Sequence, residues 1–219
     1  MISLQAVDLS ACSLSTDQLE NFCQILNQTE TLQLTELGLS LMNLSEVNEG
    51  ILTRTIIRIR KVSLAETQMK PYQLNVLLDS IIEQEEIAVQ EIDLSGNIFT
   101  PIDADKLGEC LIKLKTVMLR YCQLQADQIC KVCEKILEPE GGRQVAIREL
   151  NVEGNRVSKD QAHHCDFLIS MLKRIIKVSG LGDVGWEPTP LLRLLPPRPY
   201  YFSTSLPPSS HPSHPSYQN

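Results

Sequence analysis

One spacing constrains this chain more than any other feature. Apolar residues follow the template L-x-x-L-x-L-x-x-N-x-L in six successive stretches. The first is Leu4, Val7, Leu9, Cys12 and Leu14, and the second is Leu34, Leu37, Leu39, Met42 and Leu44. The third is Ile59, Val62, Leu64, Thr67 and Met69, and the fourth is Val89, Ile92, Leu94, Asn97 and Phe99. Leu114, Val117, Leu119, Cys122 and Leu124 make the fifth, and Ile147, Leu150, Val152, Asn155 and Val157 the sixth. The fourth is the clearest copy. The second is the weakest, because Leu32 or Leu41 would shift its frame. The starts at 4, 34, 59, 89, 114 and 147 are 30, 25, 30, 25 and 33 residues apart. A unit of that size cannot bury its apolar side alone, so the copies must stack on one another.

Between these strand-like stretches the apolar period changes from 2 to 3.6. Eight residues beyond each template lie Phe22, Leu52, Leu77, Leu107, Val132 and Cys165. Twelve beyond lie Leu26, Ile56, Ile81, Leu111, Ile136 and Ile169. Each unit therefore reads as a short strand, a turn and an amphipathic helix. Ser15-Thr-Asp-Gln18 and Ser158-Lys-Asp-Gln161 have the spacing of a capping box. Thr100-Pro101 offers a capping hydroxyl before a proline at the first helical position, and Lys70-Pro71 the proline without the cap. Glu138-Pro-Glu-Gly-Gly142 ends the fifth helix and accounts for the longest spacing.

These residues resemble the leucine-rich repeats of the ribonuclease-inhibitor class over residues 1 to about 177. The resemblance implies an α/β solenoid of about six strand–helix units of about 28 residues, with a curved parallel sheet inside and helices outside. That class often alternates Cys and Asn at the ninth template position. Here those positions read Cys12, Met42, Thr67, Asn97, Cys122 and Asn155, and only the last three follow the alternation fully. Asn97 and Asn155 are expected to turn inward and bond backbone groups of the strand-to-helix bend, with Cys and Thr filling the same place more weakly. Similar repeats occur in the sensing domains of NOD-like receptors and in small intracellular adaptor proteins. The resemblance thus implies a protein-binding module or scaffold, or part of such a sensing domain. No nucleotide-binding motif accompanies it.

The pattern stops after the sixth helix. Ile175-Ile-Lys-Val178 offers the start of a seventh strand, but Gly180, Gly182 and Gly185 follow, then most of the chain's prolines. The domain is therefore read as residues 1–177, followed by a Pro/Ser-rich tail, 178–219, that should be disordered. Lys177-Val-Ser179 can be encoded by AAG GTG AGT, which matches a splice-donor consensus, so the tail is expected to be translated intron. Neither end carries the polar cap a solenoid usually has. The chain reads as a fragment or isoform of a longer repeat protein.

Charge and composition narrow the function. The net charge of −7 argues against a nucleic-acid binder, which needs a basic face for phosphates. No apolar run reaches the roughly 18 residues of a spanning helix, and no signal peptide is visible. Most of the seven cysteines fall on apolar template or helix positions. Buried free thiols in a reducing compartment, the cytoplasm or the nucleus, fit that placement better than a disulfide framework.

Little points to chemistry. Cys130-Lys-Val-Cys133 has the spacing of a redox pair or half a zinc site, and His163-His164 lies beside Cys165. A metal- or redox-dependent protein using Cys130, Cys133, His163 and His164 is the competing class. Against it, Cys133 and Cys165 lie on core columns and no second C-x-x-C exists. No thiol stands with a base and an orienting group, so no enzyme, cofactor or metal is expected. His211 and His214 lie in the tail, and Pro196-Pro-Arg-Pro199 resembles a minimal polyproline ligand.

Function is expected on the inner face, where side chains between the template leucines point off the strands. Met118, Arg120 and Tyr121 form an amphipathic patch beside Glu91, Asp93, Glu149, Asn151 and Glu153. Arg and Tyr are favoured interface anchors, and an acidic surround favours a protein partner with a basic patch.

Overall fold

The computed structural model describes residues 4–29, 33–142, 144–155, 168, 170, 172–173 and 176–179. Most of the sixth helix, its capping box at Ser158, residues His163, His164 and Cys165, and the tail from Gly180 lie outside the described residues. Within them, β1 (Ala6–Asp8), β2 (Glu36–Gly38), β3 (Lys61–Ser63), β4 (Glu91–Asp93), β5 (Thr116–Met118), β6 (Glu149–Asn151) and β7 (Lys177–Ser179) form one parallel sheet in chain order. The seventh strand is the one whose start was visible at Ile175–Val178.

The register follows the template. The middle residues Val7, Leu37, Val62, Ile92, Val117, Leu150 and Val178 stand side by side across the sheet. They and the flanking leucines enter one continuous apolar core with the helices. Their neighbours on either side point to the other face, because a strand alternates its side chains.

Each strand is short because the chain turns at the eighth template position. Ala11, Leu41, Glu66, Gly96, Tyr121 and Gly154 all have positive φ, between 54° and 73°. Only two of them are glycines, so four units hold a side chain in the left-handed region. Inside the bend, the ninth residue satisfies the backbone the turn leaves unpaired. Asn97 Nδ2 donates to Leu64 O (2.8 Å) and Leu94 O (3.1 Å), and its Oδ1 accepts from Met69 N and Thr67 Oγ1 (3.2 Å each). Asn155 Nδ2 donates to Leu119 O and Val152 O (2.7 Å each), and its Oδ1 accepts from Cys122 N and Leu124 N (3.0 Å each). Each asparagine thus ties its own bend to that of the preceding unit. Cys122 does so with longer bonds, from Sγ to Leu94 O (3.4 Å) and to Arg120 O (3.5 Å).

The chain reaches its helices in two alternating ways. After the first, third and fifth templates the helix starts almost at once: α1 (Thr16–Gln28), α3 (Pro71–Glu83) and α5 (Ala126–Leu137). Each has glutamine at its third position. The side-chain oxygens of Gln18, Gln73 and Gln128 accept from the N–H of Ser15, Lys70 and Gln125 at 2.8–3.0 Å. Buried Gln73 also donates to Leu44 O (2.9 Å) and Val47 O (2.8 Å), and Gln128 to Ile102 O (3.0 Å), in the unit before.

After the second and fourth templates the chain first makes a turn, closed by Val47 N to Leu44 O (3.1 Å) and Ile102 N to Phe99 O (2.9 Å). Shorter helices follow, α2 (Glu49–Ile57) and α4 (Ala104–Leu111), capped by Asn48 and Asp103. This corrects the cap expected at Thr100. The Phe99–Ile102 turn uses Thr100 and Pro101 to bury Ile102, which moves the cap to Asp103, whose Oδ1 accepts from Asp105 N at 2.8 Å.

Among the described residues no helix is long and apolar enough to cross a membrane.

Candidate functional site

The parallel register brings the eight expected residues onto three neighbouring strands and the bends that follow them. Glu91, Thr116 and Glu149 form one row, and Asp93, Met118 and Asn151 the next. Arg120 and Tyr121 stand just beyond β5, where the chain enters its bend. The Arg120 N–H reaches Ser95 Oγ (3.2 Å), and Tyr121 N donates to Glu153 O (2.8 Å).

Arg120 and Tyr121 act as one object. The guanidinium carbon lies 5.7 Å from the ring centroid, within cation–π range. Arg120 Nε also meets Glu153 Oε2 at 3.2 Å. The ring lies against Gly154, where no β-carbon obstructs it. Tyr121 remains 40% exposed, and Met118 is half-buried beside it. A large apolar area is therefore held in one orientation and left open on one side.

The acids around this patch differ from the free surround expected from the sequence. Glu149 pairs with Lys177 at 2.6 Å, Glu153 with Arg120, and Glu91 with Arg60 at a looser 3.7 Å. Asp93 and Asn151 have a local task as well. Their Oδ1 atoms accept from the N–H two residues on, Ser95 (2.9 Å) and Glu153 (3.0 Å), and so shape the exit of each strand. Asp8 does the same for Ser10 at 2.9 Å. Arg60 and Lys177 were missed in the sequence. Arg60 falls on a template position not read as facing out, and Lys177 belongs to the seventh strand, beyond the six template copies.

The thiols need one correction. Cys12, Cys23, Cys110, Cys122 and Cys133 are free, whereas Cys130 is disulfide-bonded, so the expectation of free thiols throughout fails there. Because Cys133 is free, the two members of the C-x-x-C are not joined to each other. A bridged sulfur has no thiolate to offer a metal, so with Cys130 bridged the pair does not form half a zinc site. Cys133 itself lines an apolar niche with Leu119, Leu124, Ile129 and Val152. Burial pushes its thiol and that of Cys122 up to about 12, and raises Cys110 further still. Thiols so shifted stay protonated at neutral pH and are poor nucleophiles. Among the described residues no three His, Cys, Asp or Glu side chains gather in a way that would hold a metal ion.

The in-register parallel sheet, the left-handed bend at a fixed position and the asparagine ladder decide the architecture. The chain is a leucine-rich-repeat solenoid. It resembles ribonuclease-inhibitor-like repeat proteins in its alternating units. No family model and no curated protein matches it. Among solved structures the solenoid is similar to the leucine-rich repeat-containing protein LegL7 from Legionella pneumophila, with 16% identity and a TM-score of 0.49. The match covers 75% of this chain and 51% of that one, so the chain spans about half the length of that protein.

Proposed function

We propose that this chain is a non-catalytic interaction module that takes a protein partner on the sheet face across β4, β5 and β6. The supporting observation is the Met118–Arg120–Tyr121 patch. It combines an aromatic ring, a guanidinium stacked on it and a thioether, set at the end of β5 and in the bend after it. Pre-oriented Arg and Tyr lose little freedom on binding and are enriched among residues that dominate interface energy. Charge has the smaller share. Glu91, Glu149 and Glu153 already meet cations, so a basic patch on the partner would steer and orient the encounter more than hold it. The reading carries a cytoplasmic or nuclear location, in keeping with the free thiols and in tension with the bridged Cys130.

An affinity pull-down with the chain, repeated with an Arg120→Ala/Tyr121→Ala double variant, tests the proposal. Partners should be lost with the variant while its thermal unfolding stays cooperative. An unchanged partner list would overturn the assignment to this patch.

A further inference from the structure

The face of β4, β5 and β6 changes character along its length. Every second residue of a strand points to this face, so its side chains fall in rows about 6.7 Å apart. The first row runs Glu36, Lys61, Glu91, Thr116, Glu149 and Lys177 from β2 to β7. Every member but Thr116 is charged. Elsewhere the row closes on itself, with Lys61 3.6 Å from Glu36 and Lys177 2.6 Å from Glu149. At Thr116 an uncharged residue stands between two acids. The ion pairs that Glu91 and Glu149 form run outward, to Arg60 just before β3 and to Lys177 in β7. Lys115, beside Thr116 in the chain, is taken up by Gln90 Oε1 at 2.8 Å. The side chains of Glu91 and Glu149 are only 32% and 27% exposed, so a cation set between them is screened less than at an open edge.

The next row is Asp93, Met118 and Asn151. Its two polar members accept from the N–H groups of Ser95 and Glu153, which leaves Met118 as an apolar centre. One step further stands Arg120. Its Nε meets Glu153, and the remaining N–H groups of the guanidinium fork suit a second carboxylate. Along β5 the face thus passes from acid-flanked, through apolar, to cationic.

We propose that the partner presents a line of three side chains along β5: a Lys or Arg over Thr116 between Glu91 and Glu149, an apolar side chain over Met118, and a carboxylate at Arg120. This rests on the interaction reading above and adds the order of the contacts. A uniformly basic partner would satisfy the first row and be repelled at Arg120. A uniformly acidic one would meet the reverse. The line therefore fixes one orientation of the partner along β5 and rejects segments with the same residues in another order.

The probes are two pentapeptides of one composition, titrated into the isotope-labelled full chain and followed by NMR. In Ac-Lys-Ala-Leu-Ala-Glu-NH2 an extended backbone sets Lys, Leu and Glu on one face at the row spacing. In Ac-Leu-Ala-Lys-Ala-Glu-NH2 the cation and the apolar side chain change places. The first should shift the Met118 methyl and bind at least about fivefold tighter than the second. Thr116→Lys puts an ammonium into the gap and should abolish that preference without lowering the melting temperature. Thr116→Val keeps the shape, adds no charge and should retain it. Equal binding, no binding, shifts away from Met118, or a preference that survives Thr116→Lys would each overturn the proposal. The Arg120→Ala/Tyr121→Ala pull-down reads the site separately. Partners lost there while the two peptides bind alike would leave the site standing and remove the order of contacts. An unchanged partner list would remove both.

Discussion

The ring of Tyr121 occupies the space that Gly154 leaves open one unit further along: a β-carbon on Gly154 would sit 2.2 Å from Cδ1 and Cε1 of the ring. Both residues occupy the left-handed bend, at φ 54° and 72°. Glu66 and Gly96 repeat the arrangement two units earlier, with 2.6 Å from the hypothetical β-carbon to Glu66 Cγ. Along this rim a large side chain of one unit lies over the glycine of the next.

Gly154→Ala should therefore cost stability twice, once for the left-handed backbone and once for the displaced ring. A loss of about 2 kcal/mol in urea unfolding is expected. Tyr121→Ala alone should change stability by less than about 1 kcal/mol, and adding it to Gly154→Ala should recover part of the loss. A double variant no more stable than Gly154→Ala would show that the ring does not matter there.

Asn97→Ala should be far more damaging than its size suggests. It strips the buried Met69 N–H of its acceptor and the Leu64 and Leu94 carbonyls of a donor. About 3 kcal/mol is expected by denaturant titration. Asn97→Cys should be milder, because Cys122 fills the corresponding place in the next unit.

Lys113 closes the end of α3 from the following unit, its ammonium donating to the carbonyls of Ile81, Ile82 and Gln84. Lys113→Met keeps the stem and removes the donors. It should lower stability by about 1 kcal/mol and speed amide exchange at the end of α3. Unaltered exchange there would mean that water caps the helix as well as the lysine does.

The buried thiols predict an alkaline limit. Cys122 and Cys133 are raised to about 12 in the folded chain, from an ordinary value of 9.0. The folded state thus holds its thiol protons where the unfolded state releases them. Their contribution to stability is complete below about pH 9 and is lost as the pH rises from there to 12. Unfolding midpoints measured across that range should fall, and Cys122→Ala/Cys133→Ala should flatten the slope. At pH 8 a thiol reagent should label exposed Cys12 quickly and leave Cys110, Cys122 and Cys133 unmodified until urea is added.

The template was legible because burial enforces it. Leu64, Leu94 and Leu119 have to recur at one place in every unit, and the sequence shows them doing so. The eight residues expected on the face were legible for the same reason, since they occupy the gaps between the buried positions. What they do to one another was not. The pairing of Glu149 with Lys177 joins residues in different units, and only the register brings them together. The turn-forming task of Asp93 and Asn151 did leave a sign: a short polar side chain at the fifth template position, seen also at Asp8. The cap at Thr100 was misplaced because hydroxyl-before-proline is a local rule, and burial of Ile102 outweighs it.

The two ways of entering a helix set the grain at which this chain can grow or shrink. Gln73 needs the extra turn of the unit before it, because it bonds the carbonyls of Leu44 and Val47 in that turn. Gln128 depends on Ile102 in the same manner. Excising residues 34–58 alone would join two units of the same kind and leave Gln73 facing a neighbour without that turn. Excising 34–88 would put the first unit directly before the fourth and keep unlike beside unlike. The element that can be duplicated or lost without repair is a doublet, and a single template is half of it.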